Sequence, residues 1–167
     1  MENFIRIRRE DNKLYNLLKH DGTLLSKEWF KEIGEFHEGF AKVQREDGLY
    51  NFITTDGTLL SKEWFRCVRD FCEGFARVIE EHTLENYIKP DGTLLSKGWF
   101  LSALDFREGF AVVRRVYGLY NFIKPDGSFL CKEWFKYANG FREGFAEVQK
   151  EDGWYKLATD GTLSKVE

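Results

Sequence analysis

Proline occurs only twice in the 167 residues, at Pro90 and Pro125, and methionine only once. No apolar run approaches the roughly eighteen residues that a membrane span needs, and Met1 to Arg6 contains no stretch of signal-peptide length. These two absences lead to the expectation of a soluble, cytoplasmic chain with no membrane partner. Blocks of one charge are missing too. The 25 basic and 28 acidic residues are mixed along the whole length and leave a net charge of -3. No basic stripe is offered to phosphates, so nucleic acid is not an expected partner. Cysteine is scarce: Cys67, Cys72 and Cys131 are odd in number and form neither a CxxC pair nor a regular framework, as expected of free thiols in a reducing compartment.

Aromatic residues, by contrast, make up 17% of the chain, a composition of ordered folds rather than of disorder. They fall in a repeat. Asp-Gly-Thr-Leu-Leu-Ser-Lys begins at Asp21, Asp56 and Asp91, recurs as Asp-Gly-Ser-Phe-Leu-Cys-Lys from Asp126, and returns shortened from Asp160. Glu-Gly-Phe-Ala falls at Glu38, Glu73, Glu108 and Glu143, every 35 residues, and Trp29, Trp64, Trp99 and Trp134, each followed by Phe, keep the same interval.

Within a unit, Phe40 to Val43 alternates as a half-buried strand requires, with Ala41 and Val43 on one face and Lys42 and Gln44 on the other. Leu49 to Thr54 follows as a second strand. Asp56-Gly57 is the dipeptide of two-residue hairpins, after which Thr58 to Ser61 can return as a third. Five such meanders fit the chain, in units of about 4–39, 40–74, 75–109, 110–144 and 145–167, and four connectors join them. Each connector carries Trp-Phe and then apolar residues at intervals of three, as in Phe30, Ile33 and Phe36, which suits a bulged strand or a short helical turn equally. One meander alone is marginal in water, so stacking must bury the aromatic faces. The expected architecture is all-β: five three-stranded meanders of about 35 residues in an open β-solenoid-like array forming a single repeat domain. The alternative is a five-bladed β-propeller. Five complete meanders with only four connectors favour the open form, whose two terminal edges make self-association a further expectation.

The run Gly48 to Gly57, preceded by Phe36-His37-Glu38-Gly39-Phe40-Ala41-Lys42-Val43, resembles the bacterial WG-containing repeat over essentially the whole chain. The Trp-Gly that names that family is replaced by Tyr-Asn at Tyr15-Asn16, Tyr50-Asn51 and Tyr120-Asn121, by Glu85-Asn86 in the third unit and by Tyr155-Lys156 in the fifth. The resemblance implies a bacterial or phage origin and an interaction role, with no general activity. The aromatic hairpins turning on Asp-Gly are also similar to choline- and glucan-binding repeats of cell-surface proteins, which however lack the Glu-Gly-Phe-Ala element.

A residue that recurs in every unit most simply serves the unit's fold. On that ground Asp21, Asp56, Asp91, Asp126 and Asp160 read as turn residues rather than metal ligands. Glu38, Glu73, Glu108 and Glu143 read as supports for backbone amides at a turn. Asn16, Asn51, Asn86 and Asn121 are odd in strands and suggest a hydrogen-bonded ladder between units, or alternatively a row facing a ligand. Trp29, Trp64, Trp99 and Trp134 are the foremost ligand candidates, since aromatic faces bind sugars and quaternary ammonium groups, with core packing as the competing role. His20, His37 and His82 occupy different unit positions, and no nucleophilic triad, phosphate loop or metal spacing is visible. No catalytic residue, metal or cofactor is expected. The units differ most at Glu80 to Glu85, at Arg114-Arg115-Val116-Tyr117, and at Lys31, Arg66, Leu101 and Lys136, where specificity could be written. The expected function is a non-enzymatic module that binds another protein; the alternative is a carbohydrate or choline-type binder using Trp29, Trp64, Trp99 and Trp134, with glycan as partner.

Overall fold

The computed structural model describes residues 4–166; Met1, Glu2, Asn3 and Glu167, at the outer ends of the first and last units, lie outside them. Every regular element among the described residues is a β-strand, and the strands form five small antiparallel sheets. Strands β1 (Ile5–Arg8) and β2 (Tyr15–Leu18) pair alone. Three sheets of three strands follow: β3 (Glu32–His37), β4 (Phe40–Gln44) and β5 (Tyr50–Thr54); β6 (Cys67–Val68), β7 (Ala76–Ile79) and β8 (Glu85–Ile88); β9 (Ser102–Ala103), β10 (Ala111–Arg114) and β11 (Tyr120–Ile123). The last sheet holds β12 (Tyr137–Ala138), β13 (Phe145–Lys150), β14 (Gly153–Ala158) and β15 (Leu163–Lys165).

The alternation read in β4 is present: Ala41 and Val43 are fully buried between half-buried Phe40, Lys42 and Gln44. Strand β5 is instead buried on both faces, because its sheet lies between two others. Phe52 packs with Val68 and Phe71, which belong to the next sheet and its connector, and with Phe65 of its own sheet, whereas Ile53 packs with Leu17, Leu25 and Phe30 of the preceding sheet and with Ile33 of its own. Five sheets thus enclose four apolar cores, one in each gap. Aromatic pairs cross each gap, with Phe4 tilted against Phe36 at 5.2 Å, Phe40 stacked on Phe71 at 4.2 Å, Phe75 on Phe106 at 4.2 Å and Phe110 on Phe141 at 4.5 Å. A single unit therefore has no core to itself, as the stacking argument requires.

The pairing corrects the three-stranded meander in two ways. First, the connectors are not joints between finished units. Each supplies the first strand of the next sheet, placing Ile33 opposite Val43, Val68 opposite Val78, Ala103 opposite Val113 and Ala138 opposite Val148. In β3 the register shifts between Ile33 and Phe36, so the bulged strand forms rather than the helical turn. A bulge is what lets two residues three apart face the same core. Second, the returning strand is reduced to a bridge. Leu24, Leu59, Leu94 and Phe129 touch the sheet opposite Leu18, Ile53, Ile88 and Ile123, the chain then leaves in a Ser-Lys-x-Trp or Cys-Lys-Glu-Trp loop, and Phe30, Phe65, Phe100 and Phe135 rejoin opposite Tyr15, Tyr50, Glu85 and Tyr120. Only in the last unit, which has no such loop, does a regular third partner, β15, run along β14.

The two turn dipeptides also exchange roles. Glu38 (φ 51°) and Gly39 (φ 89°) alone join His37 to Phe40, so Glu-Gly makes the two-residue hairpin that needs positive φ at both positions. At Asp21-Gly22 the Lys19 N–H donates to the Thr23 carbonyl at 2.9 Å and the Gly22 N–H to the Lys19 carbonyl at 3.0 Å. That is a three-residue turn in which glycine alone is left-handed.

Candidate functional site

Strand β4 runs from the Glu38-Gly39 turn to Gln44, next to Arg45, so each of the three middle sheets has a glutamate end and, at the opposite end of the strand, a tryptophan end. At about 3.4 Å per residue the two lie about 15 Å apart. They differ in chemistry.

At the glutamate end, carboxylates link the units. Glu73 accepts the N–H groups of Glu108 at 3.0 Å and Gly109 at 2.9 Å, and Glu108 accepts those of Glu143 at 2.8 Å and Gly144 at 2.9 Å. The Gly74 N–H donates to Glu38 at 2.8 Å. Glu38, Glu73 and Glu108 do support turn amides, but each supports the turn of the following unit. A second inter-unit tie, Lys42 to Asp70 at 3.1 Å and Arg77 to Asp105 at 2.7 Å, lies beside them. The next unit has Val112 and Gly140 at those places, and there a cavity of about 810 Å³ opens, floored by Phe106, Phe110 and Val112. Charges of both signs line it, Arg107 and Arg142 against Glu143 and Glu147, so it selects no single ligand charge.

Asn16, Asn51, Asn86 and Asn121 face neither a neighbouring unit nor a ligand. All are buried, the last three at 0% exposure. Asn51 donates its amide to the Ser61 carbonyl at 2.8 Å and the Glu63 carbonyl at 3.2 Å, and its oxygen accepts the Phe52 N–H at 2.7 Å. Asn16, Asn86 and Asn121 repeat the pattern. Every bond lies within the asparagine's own unit. The expected ladder between units is thus not formed by these residues, and with both amide groups occupied they offer nothing to a ligand. Their task is to satisfy the backbone where the returning strand leaves the sheet.

At the tryptophan end, Trp29, Trp64, Trp99 and Trp134 are all half-buried, each just before the Phe that rejoins the sheet, and Trp64, Trp99 and Trp134 pack against the apolar cores. Sequence reading missed their partners. The guanidinium of Arg9 lies over Trp29 with 5.2 Å to the ring centre, that of Arg45 over Trp64 at 4.7 Å, and that of Arg115 over Trp134 at 4.8 Å. The signal was present as arginine nineteen residues ahead of the tryptophan in units two and four, and twenty ahead in unit one, whose turn has an extra residue. Arg45 is raised above its ordinary value chiefly by its hydrogen bond to Asp47, and the field of Glu28 from the preceding loop adds to this. Exposed apolar side chains gather at this end. Tyr117 is 90% exposed and Val116 60%, both in the turn after β10, while Leu101 bonds the Arg114 carbonyl from the connector beside them.

The five aspartates hold their turns as expected. Asp21, Asp56, Asp91, Asp126 and Asp160 lie below the usual carboxylate value, first because a Thr or Ser hydroxyl donates to each, and then because a backbone N–H does. Cys67, Cys72 and Cys131 are free thiols, and burial raises those of Cys72 and Cys131. Among the described residues no three His, Cys, Asp or Glu side chains are grouped to hold a metal ion, and no helix is long and apolar enough to cross a membrane.

Five stacked antiparallel sheets, tied by recurring turns, define an all-β tandem-repeat protein. The WG containing repeat matches residues 30–50 and 135–154, two segments three periods apart that run from the connector phenylalanine through the Glu-Gly hairpin into or up to the following strand. In these two segments the chain is similar to the WG containing repeat. No curated protein matches the sequence. Among solved structures it is similar to the computationally designed Ika8 protein (13% identity, 98% of this chain and 55% of that one, TM-score 0.41). It is also similar to KlHsv2 with loop 6CD replaced by a Gly-Ser linker (12%, 98% and 65%, TM-score 0.47) and to BamB from Moraxella catarrhalis (10%, 100% and 62%, TM-score 0.43). The chain spans about half to two thirds of the length of these three, and at such TM-scores the likeness adds nothing to the sheets described above.

Proposed function

We propose that the chain is a non-catalytic module that binds another protein through the tryptophan end of its third and fourth units. The observation that carries this reading is the exposed apolar group of Tyr117, Val116 and Leu101 beside the tryptophan loops. Water-facing side chains of this size, clustered on a turn, are the usual signature of a protein contact. All three positions are places where the units differ, as a specific surface on a common scaffold requires. The carbohydrate reading needs open indole faces, and arginines occupy three of the four. In the proposed arrangement the array is open. Among the described residues β1 pairs with β2 alone and no strand of the last sheet joins it.

The test is affinity capture of partners from the native host, comparing the wild type with a Val116→Ser/Tyr117→Ser variant of unchanged stability, alongside a glycan array. Protein partners retained by the wild type and lost by the variant are expected. Glycan binding that disappears on Trp64→Ala and Trp99→Ala would overturn the proposal.

A further inference from the structure

The third unit breaks the pairing of arginine with tryptophan. Glu80 stands where Arg9, Arg45 and Arg115 stand in the others, and the turn backbone is the same: the Glu80 N–H donates to the Leu84 carbonyl at 3.0 Å, as Arg45 does to Leu49 and Arg115 to Leu119. Among the described residues no cation lies over Trp99. The loop of the preceding unit adds a second acid. Lys150 pairs with Glu133 of the loop before it at 2.9 Å, and Arg45 feels Glu28 of the loop before it. By the same register Glu63 is the residue of the preceding loop set toward the place of Glu80. Neither carboxylate has an ion-pair partner among the described residues, so an indole face and two acids stand together without a cation.

We propose that Trp99, Glu80 and Glu63 form a receptor site for an arginine side chain of a partner protein. The protein itself shows that the geometry accepts a guanidinium, because three sibling sites each hold one over the indole. In the third unit the internal arginine is exchanged for the opposite charge. The place is therefore vacated and made attractive to a cation in a single substitution. A planar guanidinium stacks on the indole while its N–H groups donate charge-assisted bonds to carboxylates; a neutral ureido group of the same shape keeps N–H donors but lacks the charge that both contacts depend on. The hairpin that carries Glu80 has diverged with it: Thr83, a β-branched residue, takes the left-handed conformation (φ 67°) that Gly48 and Gly118 take elsewhere. Leu101, Val116 and Tyr117 lie in the flanking connector and the next hairpin, so the site rests on, and sharpens, the protein-binding reading.

The probe is N-acetyl-arginine amide, titrated into the isotope-labelled protein while the indole N–H resonances, assigned with Trp99→Phe, are followed. The Trp99 signal is expected to move and saturate at millimolar probe, the other three loop tryptophans to stay in place, and the neutral citrulline derivative to have no effect. Glu80→Arg, which restores the arrangement of the other units, is expected to fold and to abolish the shift; Glu80→Gln is expected to weaken binding several-fold. A Trp99 shift that persists in Glu80→Arg, or that the citrulline compound reproduces, would overturn the site, as would no shift at all. Because the probe is a small molecule, its failure removes the site and leaves the wider protein-binding surface to be judged by the capture experiment.

Discussion

The carboxylate of Glu73 accepts the backbone N–H of Gly109 at 2.9 Å, one full repeat further along the chain. The same carboxylate also takes the Glu108 N–H. Since Glu108 is itself left-handed at φ 53°, a conformation unfavourable to a residue with a side chain, the preceding unit stabilises the strained turn of the next. Repetition of Glu-Gly every 35 residues therefore encodes contact between units as well as a turn within each.

Replacing Glu73 with alanine removes two charge-assisted bonds from the following turn. At this exposed site the loss of stability is expected to be about 1–2 kcal/mol. Glu143 provides the control, because among the described residues its carboxylate accepts no hydrogen bond although its own N–H is held by Glu108. Urea denaturation should show Glu143→Ala close to wild type and Glu73→Ala clearly lower; equal effects would show that the inter-unit bonds contribute nothing.

Asn51→Ala should be costlier than its small size suggests. It leaves the Ser61 and Glu63 carbonyls and the Phe52 N–H without their side-chain partner at the base of a loop. Orphaned buried polar groups of this kind cost about 2–4 kcal/mol together. Hydrogen exchange should speed up first in residues 61–64, and retained protection there would count against the role given to the asparagine.

Much of this was legible in the sequence, and the rest was not for identifiable reasons. The 35-residue period fixed the number of units, and the alternation of Ala41 and Val43 fixed a strand and its buried face. That Ser102–Ala103 and Tyr137–Ala138 open the following sheets was hidden, because two-residue strands are too short to carry a periodic signal and owe their pairing to contacts through space. The turns misled since Asp-Gly and Glu-Gly both end in a left-handed glycine, and only the φ of the preceding residue separates a two-residue hairpin from a three-residue one. The asparagines were recognised as structural, but their partners are backbone groups of a loop whose path the sequence does not spell out. The arginines over the tryptophans were passed over because charged residues in a turn look like ordinary solvated ones.

Gly22 and Gly57 are equivalent in sequence and similar in conformation, with φ 80° and 92°. They should nevertheless respond differently to alanine. A Cβ at Gly22 meets nothing within 4 Å, whereas at Gly57 it would overlap the Leu25 carbonyl oxygen of the preceding unit. Gly22→Ala should cost only the left-handed strain, about 1 kcal/mol, and Gly57→Ala about 2–4 kcal/mol because the sheets must also move apart. Thermal unfolding of the two variants compares them directly, and similar melting points would mean that the units are not in contact at this turn.

The aspartate turns predict the acid limb of stability. Each of the five carboxylates is depressed in the folded chain, first by a hydroxyl of Thr or Ser, so the unfolded chain binds protons more readily and folding is favoured while they are ionised. That contribution is complete above the ordinary aspartate value of 3.8 and is lost as the pH falls through the lower folded values. Melting temperature should therefore hold steady from neutral pH down to about 5 and decline below about 4. Asp91→Asn in a middle unit keeps an oxygen for the Thr93 N–H and Oγ1 but carries no titrating charge. It should lower stability at neutral pH and flatten the decline in acid. A variant that declines as steeply as the wild type would assign acid unfolding to other carboxylates.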